Sequence, residues 1–410
     1  MQGKLRVKNF GVLKDIEINI NDFTIIIGSQ AQGKSLIAKL IYFFKNLDPL
    51  FYDFIFQRTP ENLETKFTEP IKIRFLEIFP DYLIRKFNKF EITFYYSKNS
   101  YIKISKSNIN ILKISLFGEN EEKISAILNY VDRYLPLKKA SEFSNNRITE
   151  RMLSDLLSEL KIKYIFSSGV GFIPAGRTYF SSLAKNIFSL VNMNVQIDKL
   201  LLQFGSYFDF AKGVDFESFL KHYDECKPLV DLMEEVLCGK YKFENQEAWI
   251  ENEIGKIKLN DSSSGQQELL PMILVLFYNA IFTESMEGKY LIIIEEPEAH
   301  LFPKSQYKIT EFFVLLHKIS KKNPSFFITT HSPYILSSLN NLIQANNTYQ
   351  TLKKRKKVKS GLKKIEEIIP RIKWLDYENV SAYFITDGKA EDIMNRENKL
   401  IDANKIDEIS

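Results

Sequence analysis

Hydrophobic and polar residues alternate along the first 20 residues of the chain before a continuous apolar run begins. Leu5, Val7 and Phe10 lead to Gly11, and an alternating stretch then covers residues 16–20. This period of two predicts half-buried strands joined by a turn. Residues 23–27 are then almost uniformly apolar, which is typical of a strand buried on both faces of a sheet.

Further apolar strands are predicted far along the chain, near residues 290–294 and 325–329. A helix is predicted over residues 35–45, where apolar side chains return at helical spacing. We therefore expect one α/β sheet built from both ends of the chain. The predicted domains are a head core (1–50 and 241–345), an inserted α+β or helical region (51–240) and a C-terminal extension packing on the head (346–410).

The inserted and C-terminal regions are predicted in less detail. The polar, basic stretch 346–364 is predicted to be a loop or flexible segment. The other expected elements are strands near 90–97 and 100–105, helices near 121–135 and 148–162, and mainly helical structure over 180–240.

Composition and charge narrow the class of protein. Hydrophobic residues make up 45% and charged residues 26%, and 33 phenylalanines supply ample apolar surface for a core. The net charge of +5 is small, so any nucleic-acid contact must come from local patches. Cys226 and Cys238 lack metal-ligand spacing and are expected to be free thiols. Without a signal-peptide pattern or an apolar run near ~20 residues, we expect a soluble cytoplasmic protein with no membrane contact.

A glycine-rich turn with phosphate-loop spacing separates the buried strand from the first helix. It fits GxxxxGK[ST] and consists of Gly28-Ser29-Gln30-Ala31-Gln32-Gly33-Lys34-Ser35. Backbone amides of such a loop surround phosphate oxygens, so Gly28, Gln30, Gln32, Gly33, Lys34 and Ser35 are candidate ATP contacts. Lys34 would reach the β and γ phosphates, and the Ser35 hydroxyl would ligate Mg²⁺. The alternative, an ordinary glycine turn, is disfavoured by the strand–loop–helix context.

Two adjacent carboxylates end the apolar strand 291–294. Ligands of open α/β sheets bind at the carboxyl ends of strands. We assign Glu295 to the Mg²⁺ shell and Glu296 to polarising the attacking water. The alternative is a charged strand end that is simply solvated.

Two further motifs flank this acidic strand. The turn Ser262-Ser263-Ser264-Gly265-Gln266 precedes an apolar helix and offers a second anion site, although serine and glycine also cap ordinary helices. Thr329-Thr330-His331-Ser332-Pro333 ends the strand 325–329. His331 could be a packed histidine, but its position after the acidic strand favours a sensor of the γ-phosphate.

In this order the four motifs resemble those of ABC-type ATPase heads in the SMC, RecF and OLD (overcoming lysogenization defect) group. The loop 28–35 matches Walker A, and residues 292–296 match Walker B with its catalytic glutamate. The remaining matches are the signature (Ser263, Ser264, Gly265 and Gln266), the D-loop region (297–303) and the switch histidine (His331).

The residues of these motifs are more similar to those of the OLD-type branch than to those of transporters. Residues 295–303 read Glu-Glu-Pro-Glu-Ala-His-Leu-Phe-Pro, and residues 172–177 are similar to an Ile-Pro-x-x-Arg segment in which Arg177 is a candidate phosphate contact. The resemblance covers roughly 1–45 and 165–345, with a weaker match at 383–389. Two positions depart from the pattern: Glu295 stands for the Walker B aspartate and Ser264 for the first signature glycine.

The resemblance implies an α/β, ABC-type ATPase head with a mixed sheet, a P-loop and an inserted helical lobe. It also implies Mg²⁺-dependent hydrolysis of ATP to ADP and phosphate by a head-to-tail homodimer or higher oligomer. In such a pair the signature of one subunit closes on the ATP of the other. Burying four phosphate charges requires donors on every side, and a single loop supplies only one side.

Two C-terminal features bear on possible partners. Lys353, Lys354, Arg355, Lys356 and Lys357 are candidate DNA contacts, with a solvated charged face as the alternative. Residues 387–392 invite comparison with the start of a TOPRIM nuclease, but only 18 residues follow Asp392. We therefore expect a surface strand and turn there rather than a nuclease.

These inferences lead to one functional expectation. ATPases of this kind without a TOPRIM part occur in bacterial anti-phage systems such as Septu, some retrons and PARIS. We expect an ATP-hydrolysing sensor or scaffold of an anti-phage or DNA-surveillance complex that controls a separate nuclease or toxin. The alternatives are an autonomous OLD-type nuclease or a DNA-repair ATPase. A transporter subunit is disfavoured because more than a hundred residues separate Walker A from the signature.

Overall fold

The computed structural model of the chain divides into two compact units. Unit 1 comprises Met1–Ile20, Ser35–Val170 and Asp387–Ala390, and unit 2 comprises Asn21–Lys34, Gly171–Thr386 and Glu391–Ser410. The predicted insertion 51–240 is shared between them. The structure describes residues 3–57, 63–85, 89–107, 111–134, 157–158, 165–166, 169–178, 198–282, 290–354 and 358–402.

Helices are distributed over both units. Their bounds are α1 Lys34–Lys45, α2 Leu47–Phe56, α3 Thr68–Ile78, α4 Asp81–Arg85, α5 Glu119–Tyr134, α6 Lys199–Ala211, α7 Phe216–Leu220, α8 Lys227–Leu237, α9 Ser264–Phe277, α10 Pro303–Ile319, α11 Pro333–Lys354 and α12 Val358–Ile368.

Strands also occur in both units. Their bounds are β1 Gly3–Phe10, β2 Leu13–Ile20, β3 Phe23–Ile27, β4 Phe90–Tyr95, β5 Tyr101–Lys106, β6 Leu112–Phe117, β7 Val170–Ile173, β8 Lys240–Glu244, β9 Glu247–Asn252, β10 Gly255–Lys258, β11 Leu291–Glu295, β12 Ser325–Thr330, β13 Val380–Thr386, β14 Lys389–Asp392, β15 Met394–Asn395 and β16 Leu400–Ile401.

The strands of unit 1 pair antiparallel in the order β6-β5-β4-β1-β2. Leu5 pairs with Ile18 in β2 and with Phe94 in β4, so the alternating apolar residues all face one side. This arrangement confirms the predicted hairpin at the start of the chain. On the far side of β2, Lys389 pairs with Asp15 in parallel.

An aromatic cluster fills the core of unit 1. Phe10 lies 5.8 Å from Phe75 and 5.0 Å from Phe90 between ring centroids, and Phe79 makes an edge contact with Phe10 at 5.7 Å. Phe43 of α1 joins Phe75 at 5.4 Å. Offset and edge-on rings of this kind add stability beyond their buried area.

Unit 2 is built on a buried sheet in the order β13-β3-β12-β11-β7. β3 lies between β12 and β13 and pairs in parallel with both. All five residues of β3 and of β11 are buried, as their continuous apolar pattern predicts. The pairing is therefore mixed across the chain, and the predicted α/β class is confirmed.

Helices cover the sheet of unit 2 and contribute most of its core. α10 packs against α8 and α11, and α9 packs against α6. A separate antiparallel sheet, β10-β9-β8, leads into α9 and was not predicted. The core residues from these elements include Phe23, Ile25, Leu270, Ile273, Ile292, Phe312, Phe326 and Leu339.

The prediction of a loop over residues 346–364 is wrong. α11 continues to Lys354, and α12 begins at Val358. Buried residues of the first half of α11, such as Leu339 and Ile343, anchor the helix. Extending an anchored helix costs little, so its polar second half stays helical despite weak propensities.

Other predicted elements meet different outcomes. The helix near 121–135 and the strands near 90–97 and 100–105 are confirmed by α5, β4 and β5. Most of the helix predicted near 148–162 lies outside the described residues. Within the described stretches, no helix is both long and apolar enough to cross a membrane.

Candidate functional site

The glycine-rich loop of unit 2 connects β3 to α1. Ala31 and Gly33 adopt positive φ angles of 60° and 94°. Such turns curl successive amides inwards, as in anion-binding nests. Gly28 has no room for a side chain, because a Cβ there would lie 2.4 Å from the carbonyl oxygen of Ile385. The close approach of β13 thus explains the first glycine of the motif.

Lys34 is folded into this loop. Its side chain is buried, with the residue 5% exposed. The Nζ ammonium donates to the carbonyl oxygens of Gly28 and Ser29, both at 2.7 Å. Burial lowers the pKa of Lys34 to about 8, while the nearby carboxylates of Glu296 and Glu298 act in the opposite direction.

His331 connects Lys34 to Glu296. Its Nδ1 lies 3.3 Å from Nζ of Lys34, and its Nε2 lies 3.3 Å from Oε1 of Glu296. Both contacts are satisfied by a neutral imidazole that accepts at Nδ1 and donates its proton from Nε2. The structure thus brings three sequence-predicted residues into one chain of polar contacts.

The backbone around Glu296 is held in an uncommon conformation. Glu296 has a φ of 45°, and its amide donates to the carbonyl of Thr329 at 2.9 Å. Left-handed backbone at a residue other than glycine is strained and needs surrounding support. Glu296 keeps a partly exposed side chain, as a residue that activates water requires.

Glu298 was missed by the sequence reasoning. Its Oε1 accepts the backbone amide of His331 at 2.7 Å, and burial raises the pKa of its carboxyl. This contact fixes the start of the segment that carries His331. The available signal was the third acid in Glu295-Glu296-Pro297-Glu298.

Glu295 ends β11 as a buried carboxylate whose Oε2 accepts the amide of Ala175 at 3.4 Å. In the described residues, no group of three or more His, Cys, Asp or Glu could hold a metal ion. Mg²⁺ usually keeps several waters and takes one or two carboxylates plus substrate phosphates. A single carboxylate beside a phosphate loop therefore fits Mg²⁺ delivered with a nucleotide.

The signature residues begin helix α9. Ser263 caps the helix, and Ser263 and Gln266 form a reciprocal capping box. Nε2 of Gln266 also donates to the carbonyl of Leu237 at 2.7 Å. A Cβ on Gly265 would lie 2.8 Å from the carbonyl oxygen of His300, so the signature packs tightly on the D-loop of its own chain. Ser263 and Ser264 remain exposed.

Arg177 has protein partners rather than a path to a phosphate. The residue is 0% exposed. Its guanidinium donates to the carbonyls of Pro174 and Glu295, both at 2.8 Å, and of Glu296 at 3.0 Å. Burial lowers the pKa of Arg177, and Glu268 is the first of the carboxylates that oppose this shift. The expected phosphate contact does not fit this enclosed position.

The remaining predicted residues are placed as follows. Gln30 is exposed and Gln32 is half-buried in the loop of unit 2. Ser35, the next residue after Lys34 in α1, is exposed and belongs to unit 1. Lys353 and Lys354 are exposed at the end of α11. Arg355, Lys356 and Lys357 lie outside the described residues.

These side chains are chemically suited to phosphoryl transfer to water. An amide-lined loop and Lys34 complement phosphate charge, Glu295 suits Mg²⁺, and Glu296 suits a water molecule. Phosphoryl transfer depends chiefly on positioning and electrostatic stabilisation. His331 links the lysine and the glutamate that are suited to provide them.

The comparison with protein families agrees with this chemistry. The sequence pattern of a family described as "AAA ATPase domain" matches residues 1–336. Among solved structures, the chain is similar to an SMC head bound to the C-winged helix domain of ScpA, with a TM-score of 0.42 and 12% identity over 95% of this chain and 96% of that chain.

Two further structures have comparable scores. The SMC head domain from Thermotoga maritima has a TM-score of 0.37 and 13% identity, covering 82% of this chain and 92% of that chain. The recombination mediator protein RecF in the RecFOR pathway has a TM-score of 0.35 and 13% identity, covering 95% of this chain and 97% of that chain.

Proposed function

We propose a specific use for the ATP hydrolysis of this chain, which belongs to the family of AAA ATPase domains. Two copies close head to tail around ATP, and the closed pair holds and controls a separate effector protein. The setting is bacterial anti-phage defence or DNA surveillance, and the effector is a nuclease or a toxin.

The observation that carries the head-to-tail pair is the exposure of large aromatic side chains beside the catalytic motifs. Phe302, six residues after Glu296, is 83% exposed. Tyr334, three residues after His331, is 42% exposed. Exposed aromatics next to a functional site are typical of partner surfaces. The exposed Ser263 and Ser264 add an anion-binding helix terminus that a partner's nucleotide could meet.

The contacts of Lys34 support a step in which this lysine changes partners. Its ammonium is held by two loop carbonyls and by His331. In the proposed reaction, Lys34 turns to the β and γ phosphates, His331 follows the γ-phosphate, and Glu296 is freed to orient and deprotonate water. Mg²⁺, held by Glu295, would neutralise phosphate charge.

The proposed control of a separate effector rests on the residues of two motifs. The run 295–303 and the Thr-Thr-His-Ser-Pro run are similar to the OLD-type branch. Asp387 and Gly388, the basis of the comparison with TOPRIM, lie in a turn between β13 and β14. A Cβ on Gly388 would lie 2.4 Å from the carbonyl oxygen of Val12, so this glycine serves the turn. We therefore place the destructive activity on another protein.

A DNA contact is part of the proposal. Lys353 and Lys354 are exposed on α11, as are Lys363 and Lys364 on α12. A cluster of this kind binds the phosphate backbone without sequence preference and with strong salt dependence. Replacing Lys353 and Lys354 by glutamine should weaken DNA binding and flatten its salt dependence by about two in the log–log slope. An unchanged slope would remove these lysines from the interface.

The test of the whole proposal is native mass spectrometry of the chain co-expressed with the products of its neighbouring genes. Samples with and without ATP and Mg²⁺ are compared, and Glu296→Gln is included to hold the ATP-bound state. We expect an ATPase oligomer that carries a second protein, whose mass identifies the effector. A bare dimer that cleaves DNA with Mg²⁺ would instead support the autonomous nuclease.

A further inference from the structure

The segment that follows β7 lies between the signature helix and the catalytic end of β11. Arg177 reaches β11 through its guanidinium, which donates to the carbonyl oxygens of Glu295 and Glu296. The amide of Ala175 donates to the Glu295 carboxylate at 3.4 Å. The backbone of both acidic residues is thus held by one short segment.

The same segment holds the signature helix through Glu268. The Glu268 carboxylate accepts the amides of Arg177 and Thr178, each at 3.1 Å. Nε of Arg177 lies 3.1 Å from Oε2 of Glu268 and donates to the carbonyl oxygen of Glu268 at 3.2 Å. Glu268 is 2% exposed and lies in the second turn of α9, four residues after Ser264.

The chemistry of this link makes it specific. A guanidinium is a planar fork of five donors that can bind several fixed acceptors at once, whereas an ammonium cannot reproduce that geometry. Buried charge-assisted hydrogen bonds are short and costly to break. Gly265, packed on the carbonyl of His300, provides a second contact between the signature and the segment after Glu296.

We infer that Arg177 is a positioning residue for ATP hydrolysis, which fixes the backbone of Glu296 and joins it to the signature helix of the same chain. It does so without touching the nucleotide. Because the backbone of Glu296 is strained, a support at its carbonyl determines where the carboxylate points. The inference rests on the proposed head-to-tail pair in one respect only. When the partner's ATP contacts the signature of this chain, the link through Arg177 would transmit that contact to Glu296 of the same chain.

The test compares Arg177→Lys and Glu268→Gln with the wild type in steady-state ATP hydrolysis. Arg177→Lys keeps the positive charge and removes the forked donor geometry of the guanidinium. Glu268→Gln keeps the side-chain volume and removes the negative charge on the signature helix. Turnover is divided by the number of ATP-binding sites titrated in each sample, so an unfolded fraction does not count. Arg371→Lys is the matched control, since Arg371 is an exposed arginine of the same unit.

We expect both changes to lower kcat by about tenfold or more while KM for ATP stays within about twofold. The double variant should be no slower than the slower single variant, because both changes break the same contact between Arg177 and Glu268. If Arg177→Lys does not fold, Glu268→Gln alone tests the inference, through a lower kcat with an unchanged KM. An unchanged kcat per titrated site, or strictly additive losses, would overturn the inference.

ATP-driven dimerisation is followed by mass photometry in the same samples. A wild type that stays monomeric with ATP would remove the head-to-tail pair and leave the kcat comparison intact. A wild type that dimerises, together with variants that turn over normally, would remove the positioning role of Arg177 and leave the proposed function standing.

Discussion

The two units bury polar side chains for different purposes. In unit 1, the Asp48 carboxylate accepts the amides of Ile165 and Phe166, and Nζ of Lys106 donates to the carbonyl of Ile84. These contacts tie segments together around an aromatic core. In unit 2, the buried side chains of Lys34 and Arg177 contact the loop after β3 and the end of β11.

This difference shows that convergence, rather than burial alone, marks the functional site. Lys45 of unit 1 and Lys34 of unit 2 both have pKa values lowered by burial to about 8. Of the two, Lys34 alone also contacts a histidine that in turn contacts Glu296, the proposed general base. Changes at Lys34, His331 and Glu296 should therefore alter turnover, and changes in the aromatic core of unit 1 should alter stability.

The largest expected effect is on catalysis. Glu296→Gln should leave ATP binding intact and slow hydrolysis by ~10²–10⁴-fold, because the amide cannot accept a proton from water. It should also trap the ATP-bound pair. Phosphate release and nucleotide affinity measure the two effects. The matched control is Glu253→Gln, on an exposed turn of the same unit, and an unchanged rate in Glu296→Gln would exclude Glu296 as the general base.

A core change in unit 1 should act on stability instead. Phe75→Ala removes a ring that packs on Phe10, Phe43 and Phe79, and should lower the free energy of unfolding by about 3–5 kcal/mol. Ile73→Ala on the exposed side of the same helix should cost no more than about 0.5 kcal/mol. Denaturant titration measures both. Equal losses would contradict the packing.

Lys45 should make stability depend on pH. Its pKa is lowered by burial from the ordinary value of 10.5 to about 8 in the folded state. Between these two values the unfolded chain binds more protons, so the contribution of Lys45 to stability rises with pH. Relative to Lys45→Met, the wild type should gain about 2 kcal/mol of unfolding free energy from pH 7.5 to pH 10. The partly exposed Lys72→Met is the control. A constant difference between the wild type and Lys45→Met would contradict the shift.

The smallest effect is a proton taken up with ATP. Because burial lowers the pKa of Lys34 to about 8, about half of the Lys34 side chains are neutral at pH 8. Phosphate charge raises that pKa, so binding at pH 8 should take up as much as ~0.5 proton per ATP. Calorimetry in buffers of different ionisation enthalpy measures the uptake. Lys34→Arg should abolish it, and equal uptake in both proteins would assign the proton elsewhere.

The sequence was informative where chemistry and local periodicity coincide. The loop 28–35, the apolar strand ending at Glu295 and the strand before His331 each combine a pattern with a reactive side chain, and each lies where it was predicted. Glu268 and Glu298 were missed because their partners, Arg177 and the His331 amide, are distant in sequence. Such pairs are specified by tertiary packing.

Two errors have related physical causes. Arg177 was predicted to face phosphate because its motif lies among nucleotide-binding motifs, but burial gives its guanidinium carbonyl partners. The second half of α11 was predicted as a loop from its polar composition, although the apolar first half anchors the helix. In both cases the surrounding structure outweighs the local signal.

The most direct test of the account mixes two inactive variants. Lys34→Ala disables the phosphate loop, and Ser264→Asp places a negative charge at the exposed terminus of α9, where the helix tolerates it and a partner's phosphate does not. A mixed pair then has one intact composite site. We expect each variant alone to be nearly inactive and the mixture to regain about a quarter of wild-type turnover, because about half of randomly formed pairs are mixed. A mixture no more active than the separate variants would contradict the composite site.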